Sequence, residues 1–489
     1  MFKARINYKS QIIFFAILIC FMILVLVCKK FFSDKNEASD NENVITEVQK
    51  SEGDSKSNMF NMVDLIIKKR DGFELSPEEI KFFINGAVDK SIPDYQISAM
   101  LMAIFLKGMN EGETACITKE MVYSGEILDL SEVPGIKVDK HSTGGIGDTT
   151  TLVLAPLVAS CGLPVVKMSG RGLGFTGGTL DKMESIGLKI DFSMQEAIEM
   201  AKKSGLVVMG QTANLAPADK ILYALRDVTG TVENISMIAA SIMSKKIAAG
   251  ADVIVLDVKC GSGAFMKDFE SAKALAKEMV AIGRNVGKKV VALITNMDEP
   301  LGLNIGNCLE AKEAIEILKG EKTGRLLDVS IELGSYMLLL GNKAKSLEEA
   351  KEMLLANIKN GKGYEKFLEF VKQQSKDFDG ELKIKEAAVK YSVKAKKAGY
   401  VYKMNAAEIG RASIATGAGR LKKDDEIDYT AGIIMKVKLG DYVNENDEIC
   451  EIHASDIEKC KRAEEILLSA IDIKNEKPKL RRLILDVVN

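Results

Sequence analysis

Lys140, His141 and Ser142 stand just before three closely spaced glycines in the run Lys-His-Ser-Thr-Gly-Gly-Ile-Gly-Asp-Thr-Thr-Thr, residues 140–151. An ammonium, the hydroxyls of Ser142 and Thr151, and glycines whose backbone lets N–H groups close on a ligand make a receptor for an anion. A strand-like stretch, 135–139, precedes the run, and an apolar stretch of helical length, 152–161, follows it. The turn therefore lies where a helix begins, with unpaired N–H groups and partial positive charge. Phosphate is the natural guest. One such turn often does no more than close a strand-helix junction, but a second follows. Strand 165–168 leads into Ser-Gly-Arg-Gly-Leu-Gly-Phe-Thr-Gly-Gly and then a helix with Thr179 at its N-cap. Two glycine- and hydroxyl-rich turns in successive β-α units can converge on one anion from two sides.

The elements that must position these turns read as alternating strands and helices. Continuous apolar runs at 165–168, 206–209, 253–258 and 290–294 suit a mainly parallel sheet covered on both faces. This predicts a large α/β domain over 135–345. Ahead of it, Val63, Ile66 and Ile67, then Ile80, Phe83 and Ile84, then Met100, Leu101, Ile104 and Phe105 recur at helical spacing. Residues 59–125 thus read as a small all-α domain, with a helix start at Ser76-Pro77. Helical sequence at 218–249 interrupts the α/β pattern. There Ser241 and Lys245, four apart, share a helix face, and by spacing alone Arg226 and Lys245 suit a solvated, salt-bridging surface. Amphipathic helices followed by short strands predict a C-terminal α+β domain over 346–489. Gly261-Ser262-Gly263 reads as a structural turn.

A formal net charge of -2 gives no general attraction for nucleic acid, so any anion site must be local. Only two histidines, His141 and His453, and cysteines without Cys-x-x-Cys spacing speak against a zinc cluster. The unpaired thiols suit a reducing compartment. The chain opens differently. An uncharged apolar run, 12–28, lies between Lys3, Arg5 and Lys9 on one side and Lys29-Lys30 on the other. Its length approaches the ~17–25 residues that cross a bilayer. The reading is a single-pass N-terminal membrane anchor over 1–30, followed by a polar, flexible linker over 31–58. A cleaved signal peptide is the rival; it usually has a shorter apolar region and small residues at the cleavage site. The flanking charges do not orient the segment, and the thiols favour a cytoplasmic face for the rest.

The two glycine-rich runs, with Tyr223-Ala-Leu-Arg226-Asp and Ser241-Ile-Met-Ser-Lys245-Lys, closely resemble the signatures of the thymidine and pyrimidine-nucleoside phosphorylases. The resemblance covers residues 59–489. It implies reversible phosphorolysis of uridine, thymidine and deoxyuridine to free base and (deoxy)ribose 1-phosphate, with inorganic phosphate as co-substrate and no organic cofactor. By the same resemblance Lys140, Ser142, Thr151, Lys167, Ser169 and Thr179 hold phosphate. His141, Tyr223, Arg226, Ser241 and Lys245 meet the nucleoside, with His141, Arg226 and Lys245 as the catalytic groups and His141 as a proton donor to the base. It further implies a potassium ion on Gly147, Thr149, Leu301, Asn304 and Glu313, a homodimer through the N-terminal helices, and completion of the all-α domain by 218–249. Lys167 resembles the enzymes of broad pyrimidine specificity. Phe175 stands where the family usually has His, and Asn304 where it often has Ala. Two other readings share these features: an anthranilate-type phosphoribosyltransferase, against which the set Arg226, Ser241 and Lys245 speaks, and a non-catalytic, membrane-tethered nucleoside- or phosphate-binding protein, against which the filled ligand positions speak.

Overall fold

Four helices open the folded chain: α1 (Met62–Arg70), α2 (Pro77–Val88), α3 (Asp94–Lys107) and α4 (Glu111–Tyr123). The computed structural model describes residues 60–489 apart from 173, 213, 376–377, 383, 421 and 423–424. Helices α2 and α4 start at reciprocal capping boxes, Ser76 with Glu79 and Asn110 with Glu113, which satisfy N–H groups that a first turn leaves open. The Glu113 carboxylate also holds Lys69 Nζ at 2.7 Å and the Leu75 N–H at 2.9 Å, tying three segments together. Phe83, Ile84, Met100 and Ile104 are sealed among these helices.

Strands and helices then alternate through β1 (Val138–Ser142), α5 (Thr150–Ser160), β2 (Val165–Ser169), α6 (Thr179–Ser185), α7 (Met194–Ser204) and β3 (Leu206–Gly210). Helices α8 (Pro217–Thr229) and α9 (Ile235–Ala248) return to the first bundle, where Ala218, Leu222, Met237 and Ala240 join its core. Next come β4 (Val253–Cys260), α10 (Phe269–Asn285), β5 (Lys289–Asn296), β6 (Asn304–Ile305), α11 (Asn307–Leu318), α12 (Arg325–Leu340), α13 (Leu347–Lys359) and α14 (Lys362–Gln374). The last part carries β7 (Val389–Lys394), β8 (Gly399–Met404), α15 (Ala406–Ser413), β9 (Gly432–Met435), β10 (Tyr442–Val443), β11 (Glu448–Ala454), α16 (Ile457–Ala470), β12 (Ile471–Lys474) and β13 (Ile484–Val488).

The main sheet has the order β13-β5-β4-β1-β2-β3; β1 to β5 are parallel and β13 runs antiparallel to β5. Strands β2, β3 and β4 are buried along their whole length, which is why they read as unbroken apolar runs. Two small antiparallel sheets, β10-β8-β12 and β6-β9-β11-β7, form the C-terminal part around their own core, with Val401, Ile433, Ile452 and Leu467 at its centre.

Three expectations change. The first strand was expected at 135–139, but it starts at Val138 and continues through Ser142, in register with β4 from Val138↔Val253 to Ser142↔Asp257. Lys140, His141 and Ser142 are therefore strand residues rather than turn residues. The boundary expected at 345/346 falls inside the α/β core: Leu354, Ile358, Phe367 and Phe370 of α13 and α14 pack into it, and β13 adds an edge strand to its sheet. The third correction concerns the membrane. The 12–28 run and the 31–58 linker lie outside the described residues, and among those described no helix is long and apolar enough to cross a membrane. The anchored localisation with a cytoplasmic face is accordingly withdrawn.

Candidate active site

The carboxyl ends of β1, β2 and β4 share one edge of the sheet, the edge at which open α/β sheets place their ligands. Lys140 is buried there. Its Nζ hydrogen-bonds Thr150 Oγ1 and lies 4.0 Å from Asp148 Oδ1 and 3.9 Å from Asp257 Oδ2. Ser142 Oγ donates to Asp148 Oδ2 at 2.5 Å and accepts the Gly144 N–H at 3.2 Å, which fixes the mouth of the first glycine turn. At Gly144, φ is +96°, a backbone state that favours glycine. In the second turn, Asp181 does the fixing: it accepts the Gly172 N–H at 2.8 Å and pairs with Arg171 at 2.9 Å and Arg420 at 3.2 Å. The hydroxyls of Thr151, Ser169 and Thr179 make no hydrogen bond to the described residues, so they remain available to a guest. The Phe175 ring lies 5.9 Å from that of Phe265, with Lys267 and Arg411 over its faces, and it packs on the C-terminal core.

Around Lys140 the structure gathers charged groups of which sequence reading singled out only Lys167. Lys259 Nζ sits 2.7 Å from Asp257 Oδ2, at an angle that makes an ion pair without a hydrogen bond, and 3.9 Å from Asp148. Lys182 Nζ bridges Glu310 Oε2 and the Asp148 carbonyl, both at 2.7 Å. Lys246 Nζ donates to Asp139 Oδ2 at 2.9 Å and to the Met168 carbonyl at 2.8 Å, pinning α9 to β1 and β2. Lys167 Nζ donates to the Lys140 carbonyl and lies 3.5 Å from Asp139 Oδ1. Five buried ammonium groups, on Lys140, Lys167, Lys182, Lys246 and Lys259, thus face four buried carboxylates, on Asp139, Asp148, Asp257 and Glu310. Burying so many charges is costly unless they compensate one another, and here the balance leans positive, as a phosphate site requires.

The electrostatics follow from burial. Burial lowers the pKa of Lys140, and it brings that of Lys167 down to about 7 against the pull of Asp139. Burial would raise the Asp148 carboxyl, but the ammonium groups of Lys140, Lys259 and Lys182 override it and hold Asp148 well below the usual range. His141 is pushed well below the ordinary imidazole value by burial and then by Lys246, Lys167, Lys140 and Lys245. An imidazole held that low is uncharged at neutral pH and has one N–H to donate.

Through Lys246, bonded to Asp139 of β1 and the Met168 carbonyl of β2, the α9 face lies beside these strands. Lys245 Nζ donates to Ser241 Oγ at 2.9 Å and pairs with Asp219 of α8. Arg226 is buried, only 1% exposed. It donates to the carbonyls of Thr231 at 3.1 Å, Met237 at 3.1 Å and Val232 at 2.5 Å, which locks the α8–α9 turn. The Tyr223 ring lies 6.0 Å from its guanidinium. Helical spacing placed Ser241 with Lys245; it gave no sign of Asp219, which comes from the preceding helix. Lys246, directly after Lys245, is the missed residue the sequence came closest to flagging.

The proposed cation residues also come together, around Gly302. Leu301 and Gly302 donate their N–H groups to Ile146 and Gly147 at 2.9 and 3.0 Å, and Glu313 accepts those of Leu303 and Asn304 at 3.0 and 2.8 Å. Thr149 Oγ1 donates instead to Glu310 at 2.6 Å. Glu313 already has a cationic partner in Lys322, 3.0 Å away.

Three family matches cover most of the described chain. Residues 63–125 match the glycosyl transferase family helical bundle domain, 135–364 the glycosyl transferase family a/b domain, and 400–474 the pyrimidine nucleoside phosphorylase C-terminal domain. The chain is 55% identical over 398 residues to the pyrimidine-nucleoside phosphorylase of Bacillus subtilis (strain 168), an alignment covering 81% of this chain and 92% of that one. It is 53% identical over the same length to that of Staphylococcus aureus (strain MSSA476), with the same coverage. Among solved structures it is similar to anthranilate phosphoribosyltransferase (TrpD) from Thermus thermophilus, with a TM-score of 0.53 over 64% of this chain and 99% of that one. At 19% identity that likeness is one of fold alone.

Proposed function

Because the chain belongs to the pyrimidine-nucleoside phosphorylase family, we propose that its buried lysine cluster binds phosphate beneath the sugar of a pyrimidine nucleoside, and that the α8–α9 face receives the departing base. A phosphate oxygen bonds to C1′ as the bond from C1′ to the base nitrogen breaks. The electron pair of that bond leaves with the base, which takes up the proton that the hydrogen phosphate gives up, and the products are free base and (deoxy)ribose 1-phosphate. Lys140, Ser142, Thr151, Ser169 and Thr179 supply charge and hydroxyl donors to phosphate. Lys245, oriented by Ser241 and Asp219, faces the charge that develops on the base. Neutral His141 donates an N–H hydrogen bond there, and Tyr223 and Arg226 shape the wall behind. No covalent nucleophile is required.

The observation that carries the reading is the set of buried lysine ammonium groups gathered around Lys140, with Lys246 joining α9, the helix of Lys245, to β1 and β2. Uridine or thymidine, incubated with and without inorganic phosphate and followed by ultraviolet absorbance, tests it. Base release that does not depend on phosphate, or no release, rejects it. A phosphoribosyltransferase would instead turn over only with a pyrophosphorylated ribose. A protein that only binds would hold nucleoside and phosphate without turnover.

Lys167 gives a pH signature. Its pKa of about 7 leaves it partly neutral near neutral pH, and a phosphate dianion bound beside Lys140 raises that value. Between the two values, binding must take up a proton. Calorimetric titration with phosphate near pH 8, in buffers of different ionisation enthalpy, is expected to show net proton uptake, and Lys167→Met to reduce it. The same variant should shift preference from uridine toward thymidine. Equal proton uptake and an unchanged ratio would remove Lys167 from both roles.

Exposed Val63 and Ile67 on α1 and Tyr95, Met102 and Leu106 on α3 support a homodimer through the N-terminal helices. Sedimentation at the mass of one chain would refute it.

A further inference from the structure

Glu313 is a buried carboxylate on α11 whose two oxygens cap the 301–304 segment by accepting the N–H groups of Leu303 and Asn304. That segment is stitched to the first glycine turn through Gly302 N–H to the Gly147 carbonyl. The junction is tight: a side chain at Gly302 would put its Cβ 2.5 Å from Glu313 Oε2 and 3.1 Å from the Gly147 oxygen. A carboxylate in this position needs a positive partner. A separate potassium ion would be one answer, but with the Lys322 ammonium beside Glu313 the residues present do not fit a second cation. Thr149 Oγ1 is turned to Glu310, and the Gly147 carbonyl already accepts the N–H groups of Thr149 and Gly302. The charge of Glu313 is met from within the chain. Lys322, in the short connection from α11 to α12, places its Nζ 3.0 Å from Glu313 Oε1, 3.5 Å from Asn304 Oδ1 and 3.7 Å from Glu316 Oε2.

We propose that Lys322 is a built-in monovalent cation. Its ammonium carries the single positive charge of a potassium ion, neutralises Glu313, and holds the 301–304 segment against the phosphate turn, so this chain needs no potassium. The tether removes the entropic cost of capturing a free ion, and only 22% of the Lys322 side chain is exposed. No step of the phosphorylase reaction enters this inference, so its test does not depend on turnover.

The purified protein and its Lys322→Met and Lys322→Arg variants are compared in choline chloride and in potassium chloride at equal ionic strength. The readouts are Tm and calorimetric affinity for inorganic phosphate. The unaltered protein and Lys322→Arg are expected to give the same values in both salts. Lys322→Met is expected to lose several degrees of Tm in choline and to bind phosphate about tenfold more weakly, the scale of losing a group that supports ligand-binding residues. Potassium should restore both. A gain in Tm or affinity when potassium is added to the unaltered protein would overturn the proposal, and so would a Lys322→Met variant indistinguishable from it in choline. Should Lys322→Met fail to fold, Glu313→Gln combined with Lys322→Met decides. Folding of that double variant in choline would trace the defect to an uncompensated carboxylate, and its failure would reject the role of Lys322.

Discussion

Lys140→Met is expected to lower kcat/KM for phosphorolysis by about 10³-fold, the upper end of the range for losing one preorganised charge partner. The effect should be large because Lys140 sits at the centre of the cluster, between Asp148 and Asp257, in the middle of a strand whose pairing with β4 keeps a neighbour from taking its place. The other lysines have their own partners: Lys182 is held by Glu310, Lys246 by Asp139 and Lys259 by Asp257. Methionine keeps the length and removes the charge. Asp257 retains Lys259 at 2.7 Å, so the fold should survive. Steady-state kinetics, phosphate titration and Tm measured on one preparation check this. Turnover within tenfold of the unaltered protein would place phosphate elsewhere.

Lys245→Ala and Arg226→Ala should both remove turnover, by about 10²–10³-fold, but for reasons that stability measurements separate. Lys245 is partly exposed and pairs with Asp219 near the surface of the cleft, so its loss should leave Tm nearly unchanged while kcat falls. Arg226 is buried and bonded to three carbonyls. Without it those carbonyls lack donors at about 1–3 kcal/mol each, and the α8–α9 turn that carries Ser241 and Lys245 loosens. Arg226→Ala should therefore lose Tm and activity together. A stable but inactive Arg226→Ala would make Arg226 a direct ligand. A Lys245→Ala variant with near-normal kcat would dismiss Lys245 from the leaving-group side.

How much of this could be read from the chain depended on the kind of signal. The parallel sheet was legible because buried strands such as β4 are unbroken apolar runs, and the turns because glycine and hydroxyl residues cluster there. Strand β1 was misplaced by three residues because its second half, Lys140 to Ser142, is polar. Lys140 is buried in it only because the carboxylates of Asp148 and Asp257 come up to compensate it, and periodicity cannot see partners outside the run. The same holds for Lys182 with Glu310 and for Lys245 with Asp219. Each looks like an ordinary surface charge on its own helix, and only the fold makes it a pair. The domain boundary was missed for a different reason. α13 and α14 are amphipathic, and amphipathy says that a helix packs on something without saying on which core.

The edge strand β13 carries a consequence for how the molecule is made. It pairs with β5 as the outermost member of the phosphate-binding sheet, yet it is encoded after the whole C-terminal part. During synthesis the outer rim of β5 emerges early and stays unpaired until 484–488 leave the ribosome. Through that interval the sheet presents open backbone donors and acceptors to any neighbouring nascent chain. The rim of the sheet two strands from β1 is thus completed only after the C-terminal part, and sealing it depends on the translation of 484–488.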